Sequence, residues 1–252
     1  MNGHGDLNNS HAGRKAVELT PDPTYAYRSL AIDPSKDVIE IREKYRPFIL
    51  EDKFVKDDWV AELELSTAIQ MVQSEVLDKG LDRLRILVLY GSLRSRSYSR
   101  LLAFEASRIL HRLGCDVRVY DPAGLPQKDD VQHNHPKPFG PPLTIDQHLT
   151  QEQTGIFKQQ IDWIPLSTGS IRPTQGRTLA IAQSSVPKAY TQFTDETEGS
   201  RMLPSGNRDR LVDCMEELVK YTIVMRPHFD LFGDRFSERE ERRVKEKKEE
   251  VK

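Results

Sequence analysis

The chain predicts an α/β domain built on a parallel sheet, and three observations lead to that expectation. Leu84, Ile86, Leu87, Val88 and Leu89 form a near-continuous apolar run, the pattern of a central strand covered on both faces. A helix follows at once, because Leu102, Ala106, Ile109 and Leu113 recur at three- and four-residue intervals and Gly114 stops the run. Cys115 to Tyr120 then alternates like a second strand, and Asp121-Pro-Ala-Gly124 ends it, which completes a βαβ unit.

Bulk composition fits one such domain. The chain has 252 residues, 37% of them hydrophobic, enough to bury one sizeable core. Its 37 Lys and Arg against 39 Asp and Glu leave a formal charge of −2, so no global field draws nucleic acid. Cys115 and Cys214 lie far apart, without the spacing of a zinc site or a redox pair, and point to a reducing compartment. His133, His135 and His148 have no cysteine beside them and read as solvent-facing, so no metal is expected. No window approaches the ~18 apolar residues of a membrane span, and the first residues hold no apolar leader. A soluble, cytoplasmic protein without a membrane partner is therefore expected.

In chain order, residues 1–24 are polar and read as a disordered arm. Residues 25–80 form an N-terminal extension. From Tyr25 to Leu50 its apolar residues are poorly periodic, which suits a segment lying across a domain or subunit surface. Asp57 or Asp58 could cap a helix carrying Leu65, Ile69, Val72 and Val76, which Gly80 ends. The domain proper is expected over 81–236. Beyond the βαβ unit, prolines at 126, 136, 138, 141 and 142 exclude most regular structure up to Gln151. A short helix from Gln153 to Trp163, a turn from Ile171 to Gly176 and a strand from Thr178 to Ala182 come next. Leu211, Met215, Leu218, Thr222 and Met225 mark a last strong helix, with Asn207 a candidate cap and Pro227 beyond its end. Residues 237–252 are a charged tail of mixed sign, a solvated helix or a frayed end.

The turn after the first strand, Gly91-Ser-Leu-Arg-Ser-Arg-Ser-Tyr-Ser99, carries the chemistry. Strand, glycine turn and helix in this order aim unpaired helical N–H groups and the positive end of the helix dipole at the turn. Ser92, Ser97 and Ser99 offer hydroxyl donors, Arg94 can pair a phosphate bidentately, and Gly91 lets the backbone approach an anion. The turn has neither a Walker lysine nor a G-x-G-x-x-G, and it lacks the Cys or His of a covalent phosphatase. The plain alternative is that Ser97 or Ser99 only caps the helix while Arg94 and Arg96 are solvated.

Tyr90-Gly-Ser-Leu-Arg-Ser-Arg-Ser-Tyr-Ser-Arg-Leu-Leu102 resembles the flavin-phosphate loop of NADPH-dependent FMN reductases, and most closely that of the ArsH family of arsenical-resistance flavoproteins. The likeness extends to Tyr27-Arg-Ser-Leu30, Lys44-Tyr-Arg-Pro-Phe48, Asp58-Trp-Val60, Val119-Tyr-Asp-Pro122, Arg172-Pro-Thr-Gln-Gly-Arg177, Met215-Glu-Glu-Leu-Val-Lys220 and Asp234-Arg-Phe-Ser-Glu-Arg239. The resemblance implies a flavodoxin-like three-layer sandwich, FMN and NADPH as cofactors, and a homotetramer. It places Ser92, Arg94, Ser97 and Ser99 on phosphate-contacting positions, with Tyr98 beside them. It further implies electron transfer to oxygen, quinones or other small-molecule acceptors, oxidation of trivalent organoarsenicals in arsenic resistance, and no catalytic side chain, because hydride transfer belongs to the stacked rings.

The resemblance breaks at two places. The family's third strand and its Ser-Pro-Glu-x-His-Gly loop fall where this chain has the proline-rich stretch from Lys137 to Gln151. Its Val-Ser-Gly-Gly-Ser loop, a further helix and the final strand have no counterpart at Gln183-Ser184. The third and fifth strands are thus expected to be missing or degraded. The alternative reading is a non-catalytic or truncated isoform that keeps the phosphate loop, binds flavin weakly and assembles with full-length subunits.

Overall fold

The structure, a computed structural model, describes residues 22–56, 58–94, 96–123, 125, 147–150, 160–161, 178–181, 189–232 and 236–250. The arm at 1–21, the turn from Ile171 to Gly176, His133 and His135, and all of the expected helix from Gln153 to Trp163 except 160–161 lie outside them.

Four parallel strands make the sheet, β1 (Arg85–Val88), β2 (Asp116–Val119), β3 (Gln147–Thr150) and β4 (Thr178–Ile181), in the order β2-β1-β3-β4. That is the flavodoxin-type order, with the chain reversing its direction of travel across the sheet at β1 and β3. Parallel register is set between β1 and β2 by Asp116 N–H donating to Leu84 O at 2.8 Å and Tyr120 N–H to Val88 O at 3.0 Å.

The expectation that the stretch up to Gln151 excludes most regular structure is corrected in one respect. Position three is filled by Gln147–Thr150, which pairs with β1 on one side and β4 on the other despite the prolines upstream. Parallel pairing needs only backbone groups, so a stretch without strand-like side chains can still close the gap between two apolar neighbours. It carries no apolar alternation of its own, which marks it as a degraded strand, and no fifth strand is present among the described residues.

The described residues form helices α1 (Ile39–Tyr45), α2 (Asp52–Val55), α3 (Ser66–Val72), α4 (Tyr98–Arg112), α5 (Gly206–Met225) and α6 (Phe236–Glu250), of which α1 and α4 pack on β2 and α5 on β4. Ile86, Val88 and Tyr90 of the β1 run join α3, α4 and α5 in one buried cluster, with Ile109, Leu110, Met215 and Val219 fully enclosed. Leu87 and Leu89 are buried as well but lie outside that cluster, as the alternation of a strand with two covered faces requires. The Thr178 hydroxyl lies 2.8 Å from that of Thr222, which itself donates to Leu218 O, so Thr178 donates and ties β4 to α5.

The extension is part of the same core, since Leu30, Phe48, Val60 and Leu65 are buried in it. Arginines fasten it. Arg83 donates to Leu30 O and Gly114 O at 2.7 Å each, Arg108 Nε to Phe48 O at 2.7 Å, and Arg112 to Val60 O. Arg46 donates to Val117 O at 3.3 Å and pairs with Asp37 and Asp116, which covers the outer edge of β2.

Two expected caps shift. Asp58 caps a short 3-10 turn, Trp59–Glu62, through Val60 N–H at 3.1 Å, whereas α3 starts at Ser66 with Glu64 accepting its N–H at 3.1 Å. At α5 the cap is Ser205, whose hydroxyl accepts Arg208 N–H at 3.3 Å, and not Asn207. The charged tail forms α6.

Candidate functional site

β1 delivers the chain to the candidate site through Leu89, Tyr90 and Gly91, all buried. The start of the turn is fixed from two directions: Gln160 Nε2 donates to Tyr90 O at 3.0 Å, and the Tyr90 hydroxyl to Asp121 Oδ1 at 3.2 Å. Burial, reinforced by the Asp121 charge, pushes the Tyr90 phenol up to about 12, so it stays a neutral donor. The Tyr90 ring stands edge-on to Phe104 of α4, and the Arg100 guanidinium lies over the other aromatic partner at 4.9 Å from the Phe104 centroid.

The turn itself is a row of hydroxyls closed by a helix start. Ser92 Oγ accepts Arg94 N–H at 3.3 Å, which folds the backbone back on itself. Ser97 is buried and caps α4, accepting Arg100 N–H at 3.5 Å, and its hydroxyl lies 2.7 Å from that of Ser99. Leu101 N–H to Ser97 O, at 2.9 Å, is the first intrahelical bond, so the amides ahead of it open toward the turn. Arg94 is exposed and its guanidinium makes no ion pair among the described residues. The structure therefore brings Ser92, Arg94, Ser97 and Ser99 into one loop at the positive end of a fifteen-residue helix. Tyr98 sits in the same turn but packs its ring against Phe193, with centroids 5.9 Å apart.

Serine hydroxyls, the exposed Arg94 guanidinium and a helix N-terminus suit a phosphate dianion, and this donor set fits the phosphate end of FMN. The positions where the family's ring-contacting loops would fall, 137–146, 151 and 183–184, lie outside the described residues.

Three partners of the site were not legible beforehand. Arg96 turns away from the loop to Thr194 O, and Glu105 on α4 is fully buried against Arg201, Arg108 and the Met202 N–H. Glu105 did carry a signal: it lies three residues after Leu102 and four before Ile109, on the apolar stripe, where an acid requires a buried cation. Gln160 over Tyr90 O had none. Among the described residues no group of three or more His, Cys, Asp or Glu could hold a metal ion, and no helix is long and apolar enough to cross a membrane.

Comparison with known proteins agrees with this geometry. The profile of the family described as NADPH-dependent FMN reductase matches residues 84–146, which span β1, the turn, α4 and β2. The chain is 43% identical over 195 residues to the NADPH-dependent FMN reductase ArsH of Acidithiobacillus ferrooxidans, covering 62% of this chain and 81% of that protein. It is 44% identical over 197 residues to the protein of the same description from Rhizobium meliloti, covering 63% and 80%. The Shigella flexneri protein so described is 38% identical over 195 residues, covering 62% and 75%.

Proposed function

The chain belongs to the ArsH family of NADPH-dependent FMN reductases, and from that premise we propose that the turn 91–99 grips the FMN phosphate in an oxidoreductase that draws electrons from NADPH. The observation that supports it most is the constellation of Ser92, Ser97 and Ser99 hydroxyls ahead of α4 with an exposed Arg94 that makes no ion pair among the described residues.

The chemistry supplied by FMN, when bound, is hydride acceptance from NADPH and onward electron transfer. The protein's part is orientation. The Ser97 and Ser99 hydroxyls lie 2.7 Å apart, one donating to the other, and both edge the loop. Arg94 neutralises phosphate charge, and the amides of the first α4 turn add the dipole's positive end. Tyr98 holds the loop by its ring. No side chain is assigned as acid or base.

The electron acceptors we propose are oxygen and quinones, and oxidation of trivalent organoarsenicals, with oxygen taking up the electrons, would link the chain to arsenic resistance. A cytoplasmic homotetramer is the assembly we propose. A second reading is favoured by the sequence breaks over Lys137 to Gln151 and at Gln183-Ser184: a truncated isoform with weak flavin binding that assembles with full-length subunits. NADPH oxidation with added FMN, compared with an Arg94→Ala variant, separates them. Turnover that falls in the variant supports the reductase, turnover indifferent to Arg94 contradicts the site, and no turnover in either protein supports the truncated form.

A further inference from the structure

Two arginines of the turn, Arg94 and Arg96, have opposite surroundings. Arg94 faces solvent without an ion pair among the described residues, whereas Arg96 is half-buried and engaged. Its Nη2 donates to Thr194 O at 3.2 Å, and its guanidinium lies 3.6 Å from Asp195 and 3.8 Å from Glu196. Both acids are exposed, so those ion pairs contribute little, and the partly buried bond to the carbonyl sets the direction of the side chain.

The segment that receives Arg96 is itself fixed. Thr194 N–H donates to Arg201 O at 2.8 Å, the Thr194 hydroxyl accepts Arg201 N–H at 2.8 Å, and Phe193 bridges Met202. Arg201 is then anchored on Glu105, two turns along the helix that the loop begins. Loop, turn and helix thus close a circuit: Arg96 to Thr194, Arg201 to Glu105, and α4 back to Ser97. A circuit of this kind leaves the loop backbone few alternative conformations, which is what a pre-organised anion site needs.

We infer that the turn 194–198 is a positioning element for the phosphate loop and that Arg96 is its positioning residue. It holds the serine hydroxyls and Arg94 in anion-binding geometry, while its bond to Thr194 O turns the Arg96 charge from the anion. The inference rests on the phosphate-loop reading above and says which neighbouring segment makes that loop work.

The test uses the full chain and reads FMN and riboflavin affinity by flavin fluorescence, at low and at physiological salt, for the parent, Arg96→Met, Arg96→Lys and Arg94→Ala. Arg96→Met is expected to weaken FMN about tenfold and riboflavin by less than about twofold, because only the phosphate senses the loop. Arg96→Lys, which can still donate to Thr194 O, recovers most of the loss. The salt dependence of FMN binding stays as in the parent for Arg96→Met, since Arg94 still meets the phosphate, and flattens for Arg94→Ala. Unchanged FMN affinity in Arg96→Met, equal loss of FMN and riboflavin, or a salt dependence flattened as in Arg94→Ala would each overturn the inference. If Arg94→Ala binds FMN like the parent, the phosphate-loop reading fails, and the inference fails with it. A flavin-free measurement stands beside these: amide exchange over 91–97 is expected to quicken about tenfold in Arg96→Met, and an unchanged rate would contradict the holding role.

Discussion

Arg201 Nε donates to Glu105 Oε1 at 2.9 Å, and the carboxylate that receives it is fully enclosed on the core face of α4. Burial alone would push that carboxyl up. Arg108 and Arg201, with the Met202 N–H at 2.8 Å, outweigh it and hold the group below its ordinary value of 4.5. Arg201 also reaches Asp58 at 2.6 Å, so one guanidinium joins the extension, α4 and the segment before α5.

Replacing Glu105 with Gln removes the carboxylate paired with Arg108 and leaves Arg201 with Asp58 alone. The expected loss is about 3–5 kcal/mol of stability, measured by urea unfolding at neutral pH. Because the folded-state value is depressed, the parent holds this stabilisation above the unfolded value and loses it as pH falls through the folded one. The difference between parent and Glu105→Gln should therefore shrink on acidification below the ordinary carboxylate range.

His111 behaves in the opposite chemical sense with the same sign in pH. Burial, with Arg46 nearby, lowers it from 6.5 to about 4, and its Nε2 is enclosed without a hydrogen-bond partner. Above pH 6.5 both states are neutral and stability is full. Between 6.5 and about 4 only the unfolded state takes up a proton, so stability falls across that window by up to about 3 kcal/mol. His111→Phe is expected to remove most of that slope in urea titrations at successive pH values, and a retained slope would assign it to other groups.

Gly114 and Gly80 both end helical segments at positive φ, at +93° and +64°. A Cβ at Gly114 would sit 2.9 Å from Leu30 Cβ, whereas the space around Gly80 is open. Gly80→Ala is expected to cost about 1 kcal/mol, from backbone strain alone. Gly114→Ala should cost more than about 2 kcal/mol, because Leu30 must also shift. Equal costs would mean that Leu30 moves freely.

The parts of the fold legible in sequence are those governed by local rules. The β1 run, the α4 stripe and the stops at Gly80 and Gly114 follow from periodicity and from the one residue type that tolerates positive φ. The Ser97 cap was legible for the same reason. Long-range pairings were not: β3 is recruited by the open edges of β1 and β4 and carries no strand signature of its own. Arg96 and Thr194 lie 98 residues apart, and nothing in either local sequence indicates the other. Asn207 lost the cap because Ser205 stands one residue before the helix, which is where a hydroxyl can reach Arg208 N–H.

Ser97→Ala separates the plain capping role from the proposed one. Loss of the cap should cost about 1 kcal/mol in urea unfolding whether or not flavin is present. If Ser97 also serves the phosphate, FMN affinity measured by equilibrium dialysis falls as well, with riboflavin unaffected. A stability loss with unchanged FMN affinity would restrict Ser97 to the cap.

The claim at the centre of the account is that this loop recognises a phosphate. Calorimetric titration of the parent protein with FMN and with riboflavin, which differ only in that group, tests it most directly. Charge-assisted bonds from Arg94 and the loop hydroxyls predict FMN binding at least about tenfold tighter than riboflavin. Equal affinity for the two would contradict the account.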